Sequence, residues 1–417
     1  MLRIRDTLDT RLRENQAGFR RGRSCQEQIF CLRQIIEKCL EGNVPLLINF
    51  VDFKAAFDSV HRSTMWKVLD VYGIPLKLIN ILKSVYHETT CAVRSEGALS
   101  EWFAIISGVR QGDIWSTIIF GIVIDFILRQ SLDKSGCGLT LIPRRSSRYP
   151  AVQLPDLDFA DDLGLLESSE ERMQFITDLL RVEAAKFGLV ISFDKTKLLA
   201  VGETPRPSVT LGDQGTINVA AHFKYLGSFV TDDGTMLKEL GHRLARAASA
   251  FKDLSDVLRQ RSISVETKVK IYSASVLTQL LYACESWTLK SSDESRIDAF
   301  DMRCQRRILR VTWKDKISNE RIRARTKQPQ LTEIIRTRRL HWFGHLHRLN
   351  DTRLPKRIYK WLPQFGRRRR GRPRTRWKDC VVRDLELREA PCDIDDAEIV
   401  ATNRINWKIR IGGQQAQ

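Results

Sequence analysis

The chain has 417 residues, of which 42% are hydrophobic and 29% charged, with a formal net charge of +19 and a pI near 9.7. Apolar content at that level supports packed cores across two or three domains and excludes a disordered chain, and no apolar run is expected to reach the roughly 18–20 residues that a bilayer span needs. The nine cysteines are scattered, odd in number and without a CxxC pair, so buried thiols in a reducing compartment are expected rather than disulfides.

The opening MLRIRDTLDTRLRENQ lacks the apolar core of a signal peptide. An intracellular protein of nucleus and cytoplasm with no membrane partner is therefore expected. The positive charge is uneven. From Met302 to Lys378 there are 26 Lys and Arg against 4 Asp and Glu, which leaves the rest of the chain slightly acidic. Such a segment calls for an anionic partner.

In chain order, Ile29, Leu32, Ile35, Ile36 and Leu40 repeat at helical spacing. PLLINFVDF then reads as a buried strand ending near Asp52, and HRSTMWKVLDVYG as a helix with Ser63 as cap and Gly73 as stop. TTCAVRS and LSEWFAIIS flank Glu96–Gly97 as a hairpin leading to GVRQGD, and IWSTIIFGIVIDFILRQSL is a buried helix. LDFADDLGLL parses as strand, tight turn, strand, with Asp161 and Asp162 at the turn. Ser168 and Glu171 are spaced for a capping box on a helix running to about Phe187, followed by short strands LVISF and KLLAVG. HFKYLGSFVTDDG reads as another hairpin, and the helical patterns beyond it as a second, all-α unit.

Two adjacent carboxylates at a turn repel each other and raise one pKa unless a cation neutralises them. Magnesium does so with oxygen ligands, sharing its coordination with substrate phosphates. Asp52 closes its strand much as Asp161 and Asp162 close theirs, so two neighbouring antiparallel strands bring all three together. Such a set can hold two ions, one activating an attacking hydroxyl and one stabilising a leaving phosphoryl oxygen. By itself, ADD is most simply a solvated turn.

The ordered series FVDFKAAFDSV, SGVRQGD, LDFADD, GLVISFDKTKLL and FKYLGS, with QAGFRRGRSC upstream and WFGHLHRL and GRRRRGRPRTRWKDC downstream, resembles the reverse transcriptases of non-long-terminal-repeat retrotransposons, of the endonuclease-plus-reverse-transcriptase type. The resemblance implies an α+β right-hand polymerase fold. Partial fingers and a palm with an antiparallel sheet would occupy 1–203, a primer-grip hairpin and helical thumb 204–290, and a basic helical nucleic-acid-binding domain 291–417. It implies RNA-directed DNA polymerase activity, in which a DNA 3′-hydroxyl is extended on an RNA template from deoxynucleoside triphosphates with two Mg2+ ions held by Asp52, Asp161 and Asp162. Phe57 would lie under the incoming sugar, Gln111 and Gly112 would position template base and nucleotide, and Lys195 or Lys197 would stand near the leaving pyrophosphate. Asp58 is read as a local hydrogen-bonding residue rather than a fourth ligand. Tyr225, Leu226 and Gly227 match the primer grip.

Two features depart from the pattern. Ile114, Trp115, Ser116 and Thr117 stand where Pro-Leu-Ser-Pro is usual, and the chain opens after the family's first fingers motif and endonuclease, as an N-terminally truncated copy would. A catalytically inactive nucleic-acid-binding remnant is the alternative. In the tail, Arg367, Arg368, Arg369, Arg370, Arg372, Arg374 and Arg376 suit phosphate contacts or a nuclear import signal. Trp342, Phe343, Trp361 and Trp377 fit core better than base stacking. The set His341, His345 and His347 lacks the cysteine partners a zinc site needs.

Overall fold

The computed structural model describes residues 7–110, 112–202, 207–363, 373–388 and 393–412. These divide into two compact units, one formed by 7–28, 38–226 and 361–363 and the other by the remainder. Helix α1 (Cys25–Gly42) is capped by the Ser24 side chain, which accepts from the Glu27 N–H, and all five periodic apolar residues named above are buried.

In the first unit, strands β1 (Leu46–Val51), β8 (Asp156–Phe159), β9 (Asp162–Glu167) and β10 (Lys197–Val201) form one antiparallel sheet in the order β10–β1–β9–β8. Every residue of β1 is buried, as its unbroken apolar run requires of a central strand. Helix α2 (Arg62–Val71) starts one residue before the expected cap and has no side-chain cap bond. After α3 (Leu76–Tyr86) the chain forms two short ladders, β2 (Thr90–Cys91) with β5 (Phe103–Ala104), and β3 (Arg94–Ser95) with β4 (Ala98–Leu99). Their tip, Glu96–Gly97, has two positive φ angles, 50° and 88°, as a two-residue hairpin turn demands.

Helix α4 (Ile114–Leu128) continues through a wider turn to Asp133 and is followed by the ladder of β6 (Leu139–Ile142) with β7 (Val152–Leu154). Contrary to the expectation from sequence, the stretch Trp115–Asp133 is long and apolar enough to cross a membrane by length and composition. Phe120, Val123, Ile124, Ile127 and Leu128 are instead completely buried in the core, packed with α2, β9 and helix α5 (Glu170–Ala185). Helix α5 is capped by Ser169, one residue after the expected Ser168. Of the two strands expected after it, LVISF contributes an isolated bridge between Ile191 and Phe53, and only KLLAV enters the sheet.

Two buried polar contacts fix the β8–β9 hairpin. Ala160 at its tip has φ 59°, a costly conformation for a residue with a Cβ. Gln16, 1% exposed, holds it there: its Oε1 accepts from the Ala160 N–H at 2.9 Å and from the Gly18 N–H at 2.7 Å. A Cβ on Gly18 would fall 2.3 Å from the Ala160 nitrogen, so only glycine allows this approach. Beneath the hairpin, buried Arg13 makes a two-pronged ion pair with Asp156 (2.5 and 2.7 Å) and reaches Asp158 at 3.0 Å. Burial opposes ionisation of both acids. Arg13 nevertheless keeps Asp156 below its ordinary pKa, whereas Asp158 is pushed well above by burial and by Asp156.

The second unit is helical apart from β12 (Ser228–Thr231); β11 (His222–Tyr225) belongs to the first. Helices α6 (Leu237–Asp253), α7 (Val265–Tyr272) and α8 (Ser291–Leu309) surround Tyr272 and Trp287, both fully buried. The Tyr272 hydroxyl donates to Asp301 at 2.8 Å. Helix α9 (Asn319–Thr326) is joined to α8 by the Thr326 hydroxyl, which donates to Gln305. Helix α10 (Leu331–Arg348) shares one core with α11 (Leu354–Lys360) and α13 (Ile394–Thr402), and packs through Phe343 with α12 (Trp377–Glu386) and α14 (Arg404–Gly412). Gly344 leaves room for the Trp407 indole, which a Cβ would meet at 2.3 Å.

Replacement of Gln16 by Ala leaves the Ala160 N–H buried without a partner. It is expected to lower the unfolding free energy of the chain by about 1–3 kcal/mol in urea titration, and an unchanged midpoint would show that Gln16 does not hold the hairpin.

Candidate active site

The antiparallel register pairs Val51 with Leu163, so Asp52, one residue on, lies beside Asp162, one residue back, and Asp161 follows Ala160 at the tip. The three acids expected from the sequence therefore gather at one end of the sheet. Asp52 is held by its own N–H to the Thr196 hydroxyl (3.4 Å) and by its carbonyl to the Ser192 N–H (2.7 Å). These contacts lay the FDKTK segment along the end of β1.

Asp52 and Asp161 are half-buried and Asp162 is open on one side. The Asp162 carboxyl is nevertheless pushed up to about 6, first by the protein that withholds water from it and then by repulsion from Asp161 and Asp52. Asp161 is raised as well, by partial burial and by Asp52, against the lowering effect of a hydrogen bond from its own backbone and of Lys195. Lys195 Nζ stands 3.4 Å from Asp52 Oδ1, an atom covered from solvent that accepts no hydrogen bond. Lys197 begins β10 opposite Phe50 and makes no ion pair with the acids. Of the two lysines, Lys195 is the one at the site.

Among the described residues, no three His, Cys, Asp or Glu side chains are arranged to hold a metal ion by themselves. Even so, the donor set fits divalent cations. It offers only hard oxygen ligands, one of them covered and unsatisfied, and a mutual repulsion that one exposed lysine offsets only in part. An open cluster suits ions that complete their coordination with phosphate and water.

Phe57 lies on the short helical turn Ala56–Ser59, its ring stacked on Phe120 (4.1 Å between centroids, 17° between planes) and edge-on to Phe19 at 6.5 Å. The ring is half-buried, with its position fixed from two sides. Asp58 is exposed, and it is its backbone carbonyl that accepts, from the Ser107 hydroxyl at 2.9 Å. Two backbone bonds at 2.8 Å, Gly108 N–H to Val60 and Val109 N–H to Phe57, stitch SGVRQGD to this turn. A Cβ on Gly108 would fall 2.6 Å from Asp58 backbone atoms, so this glycine, which sequence reasoning passed over, permits the junction.

Gly112 has φ 92° and open space around it, and Gln111 lies outside the described residues. Arg110 lies over the Tyr86 ring and bonds the Val85 carbonyl. The unusual Ile114–Thr117 stretch does not disturb this entry. Asp113 caps α4 by accepting from the Trp115 N–H at 3.1 Å, Trp115 packs against the core, and the Ser116 hydroxyl pairs with that of Tyr86.

Tyr225 is 2% exposed and donates its hydroxyl to the Leu157 carbonyl at 3.2 Å, supporting β8 from below, while Leu226 (φ 47°) and Gly227 (φ 80°) turn the chain. In the basic tail, Arg367, Arg368, Arg369, Arg370 and Arg372 lie outside the described residues. Arg374 bonds the Asp233 carbonyl, and Arg376 pairs with Asp379 at the start of α12. Trp342, Phe343, Trp361 and Trp377 are all buried. His341 and His345 face outward while His347 is buried against Phe343 and Tyr359, so the three histidines do not converge.

A family model described as reverse transcriptase (RNA-dependent DNA polymerase) matches residues 1–230. A transposon-derived protein of Caenorhabditis elegans is 24% identical over 271 residues, covering 62% of this chain and 96% of that one. The Pol polyprotein of the retrotransposable element R2 of Nasonia vitripennis is 31% identical over 196 residues, 44% of this chain and 18% of its own length. The RNA-directed DNA polymerase of the mobile element jockey of Drosophila funebris is 22% identical over 311 residues, with 72% of this chain and 32% of that one covered. The chain thus spans nearly all of the nematode relative and a third or less of the two element polymerases. It belongs to the reverse transcriptase family, among the enzymes of non-long-terminal-repeat retrotransposons.

Proposed function

We propose that this chain is the polymerase portion of a retrotransposon enzyme and extends a DNA 3′-hydroxyl on an RNA template with deoxynucleoside triphosphates. The observation that carries this reading is the gathering of Asp52, Asp161 and Asp162 at one end of the four-stranded sheet, with partial burial and then repulsion among the acids raising Asp161 and Asp162. In this reading the first unit supplies palm and partial fingers, the Tyr225–Gly227 turn is the primer grip, and the helices after it are thumb and basic tail. Two magnesium ions would be held by Asp52, Asp161 and Asp162, and when bound they supply activation of the attacking hydroxyl and neutralisation of the leaving pyrophosphate.

The protein's own side chains do the remainder. Lys195 brings a mobile positive charge to the edge of the acid cluster, where a leaving phosphate is drawn to it. Phe57, held between Phe120 and Phe19, is in this reading the ring that stands against a 2′-hydroxyl and so favours deoxynucleotides. Gly112, with no neighbour in reach of a Cβ, lets backbone approach the nucleotide. The rival reading, an inactive remnant, draws no support from the Ile114–Thr117 stretch, because the helix it opens is capped and packed.

Primer extension on poly-rA with oligo-dT and magnesium tests the proposal. The unsubstituted chain is expected to synthesise DNA and Asp161→Asn to lose at least about a hundredfold, since even changes one shell further out cost 10–100-fold. Salt-sensitive RNA binding without synthesis by either protein would establish the inactive remnant instead. Phe57→Val is expected to raise ribonucleotide incorporation relative to deoxynucleotide by about tenfold or more, measured as the ratio of kcat/KM values.

The raised Asp162 carboxyl also sets a pH dependence. A carboxyl raised on folding stabilises the native state below its unfolded pKa, near ~3.9, and loses that contribution as pH climbs through about 6. In EDTA, Asp162→Asn is therefore expected to unfold at higher urea than the unsubstituted chain at pH 8, and the gap is expected to close toward pH 4. Equal midpoints at pH 8 would show that neither burial nor the neighbouring acids raise the Asp162 carboxyl.

A further inference from the structure

Outside the acid cluster, an exposed aromatic ring stands in the second unit where α8 ends. Trp313 is 82% exposed, an orientation that leaves a large apolar ring in water without a packing reason. The segment that carries it is not loose. Thr312 donates through both its N–H and its hydroxyl to Asp315 (2.7 and 2.8 Å), and Arg306 on α8 ties the following chain through the Ile317 carbonyl (2.9 Å) and Asn319 (2.8 Å). Arg310 and Lys316, with φ 57° and 50°, turn the backbone on either side. The ring is therefore presented on a braced turn.

Its surroundings are cationic. Residues 303–327 contain ten Lys and Arg against Asp315 and Glu320, and Asp315 is already engaged by Thr312. Arg303, Arg307 and Arg310 are exposed; Arg303 and Arg307, four apart, share one face of α8 at about 5–6 Å, and Arg310 is the cap residue just beyond its end. Among the described residues none of these three has an acidic partner. Lys314 Nζ lies 6.0 Å from the Trp313 ring centre. A charge run alone would be a solvated face, and an exposed indole alone an accident. Together they supply what an unpaired nucleic-acid strand needs, a flat surface for a base and a row of charges for its phosphates.

We infer that Trp313, with Arg303, Arg307, Arg310 and Lys314, forms a binding site for single-stranded nucleic acid, in which one unpaired base stacks on the indole and the adjoining phosphates follow the arginine row. A duplex cannot use it in this way, because its bases are already stacked. The site is distinct from the acid cluster and requires no catalysis.

The test is fluorescence anisotropy with the full chain, without nucleotides. The probes are labelled 20-mers of oligo-U and oligo-dT, an abasic strand of equal length, and a blunt duplex, over a salt series. The abasic strand keeps its phosphates, so contributions from other basic regions cancel in the ratio of base-bearing to abasic affinity. Trp313→Ala is expected to reduce that ratio about tenfold and Trp313→Phe to retain most of it. The triple substitution of Arg303, Arg307 and Arg310 by Gln is expected to lower the slope of log affinity against log salt by about 2. Loss in both the RNA and the DNA arm supports the shared chemistry, and loss in one arm alone supports the site and assigns its strand. If Trp313→Ala distinguishes base-bearing from abasic strands as well as the unsubstituted chain does, or if the salt slope is unchanged in the triple variant, the inference is overturned. All four substituted positions are exposed, and matching circular dichroism and urea midpoints confirm that each variant is folded.

Discussion

The antiparallel pairing of β1 with β9 is the constraint on which the site depends. Side chains alternate along a strand, so a slip of one residue would exchange the two packed faces of β1, break the buried Asn49–Thr177 hydrogen bond and separate Asp52 from Asp162. Burial on both faces of β1 forbids that slip. The same pairing that buries Leu47 to Val51 thus sets three carboxylates side by side, where they repel one another. Hydrophobic burial along five paired positions outweighs a repulsion among three partly solvated charges.

The hairpin that carries two of those acids is over-determined, which is what a strained tip requires. Ala160 sits in a conformation disfavoured by its Cβ, and it is opposed by Gln16, by the close approach of Gly18, and by the Arg13 pairs with Asp156 and Asp158 beneath. Tyr225 supports the same strand at Leu157. Charge is also handled differently on the two sides of β8–β9. Below, buried Arg13 keeps Asp156 under its ordinary pKa, while burial and Asp156 push Asp158 up. At the tip, a single exposed lysine leaves the carboxylates short of positive charge, and that deficit is what fits them for divalent cations.

The parts of this arrangement that are local in sequence were legible there. The strand ending at Asp52, the hairpin bearing Asp161 and Asp162, the Glu96–Gly97 turn and the buried helix α4 follow from period, turn chemistry and apolar runs. Long-range polar contacts were not. Nothing near Gln16 signals that its amide meets Ala160, 144 residues on, and Asp156 and Asp158 read as ordinary polar members of an alternating strand until Arg13 is placed beneath them. Cap positions shifted by one residue, Ser169 for Ser168, because two adjacent serines offer the same side-chain acceptor. The span-length helix was underestimated because Asp125, buried and bonded to Tyr72, interrupts the apolar run without interrupting the helix. The departure from Pro-Leu-Ser-Pro at Ile114–Thr117 is absorbed, because Trp115 packs against the core and Asp113 caps the helix.

The central claim is that Asp52 and the Asp161–Asp162 pair act as one divalent-cation site. Ferrous iron substituted for magnesium, with ascorbate and peroxide, cleaves backbone next to where the ion resides, and the fragments can be mapped by mass spectrometry. The account predicts paired cuts, one beside residue 52 and one beside residues 161–162, that disappear together when excess magnesium is added. Cuts at only one of the two segments, or cuts that magnesium does not suppress, would contradict it.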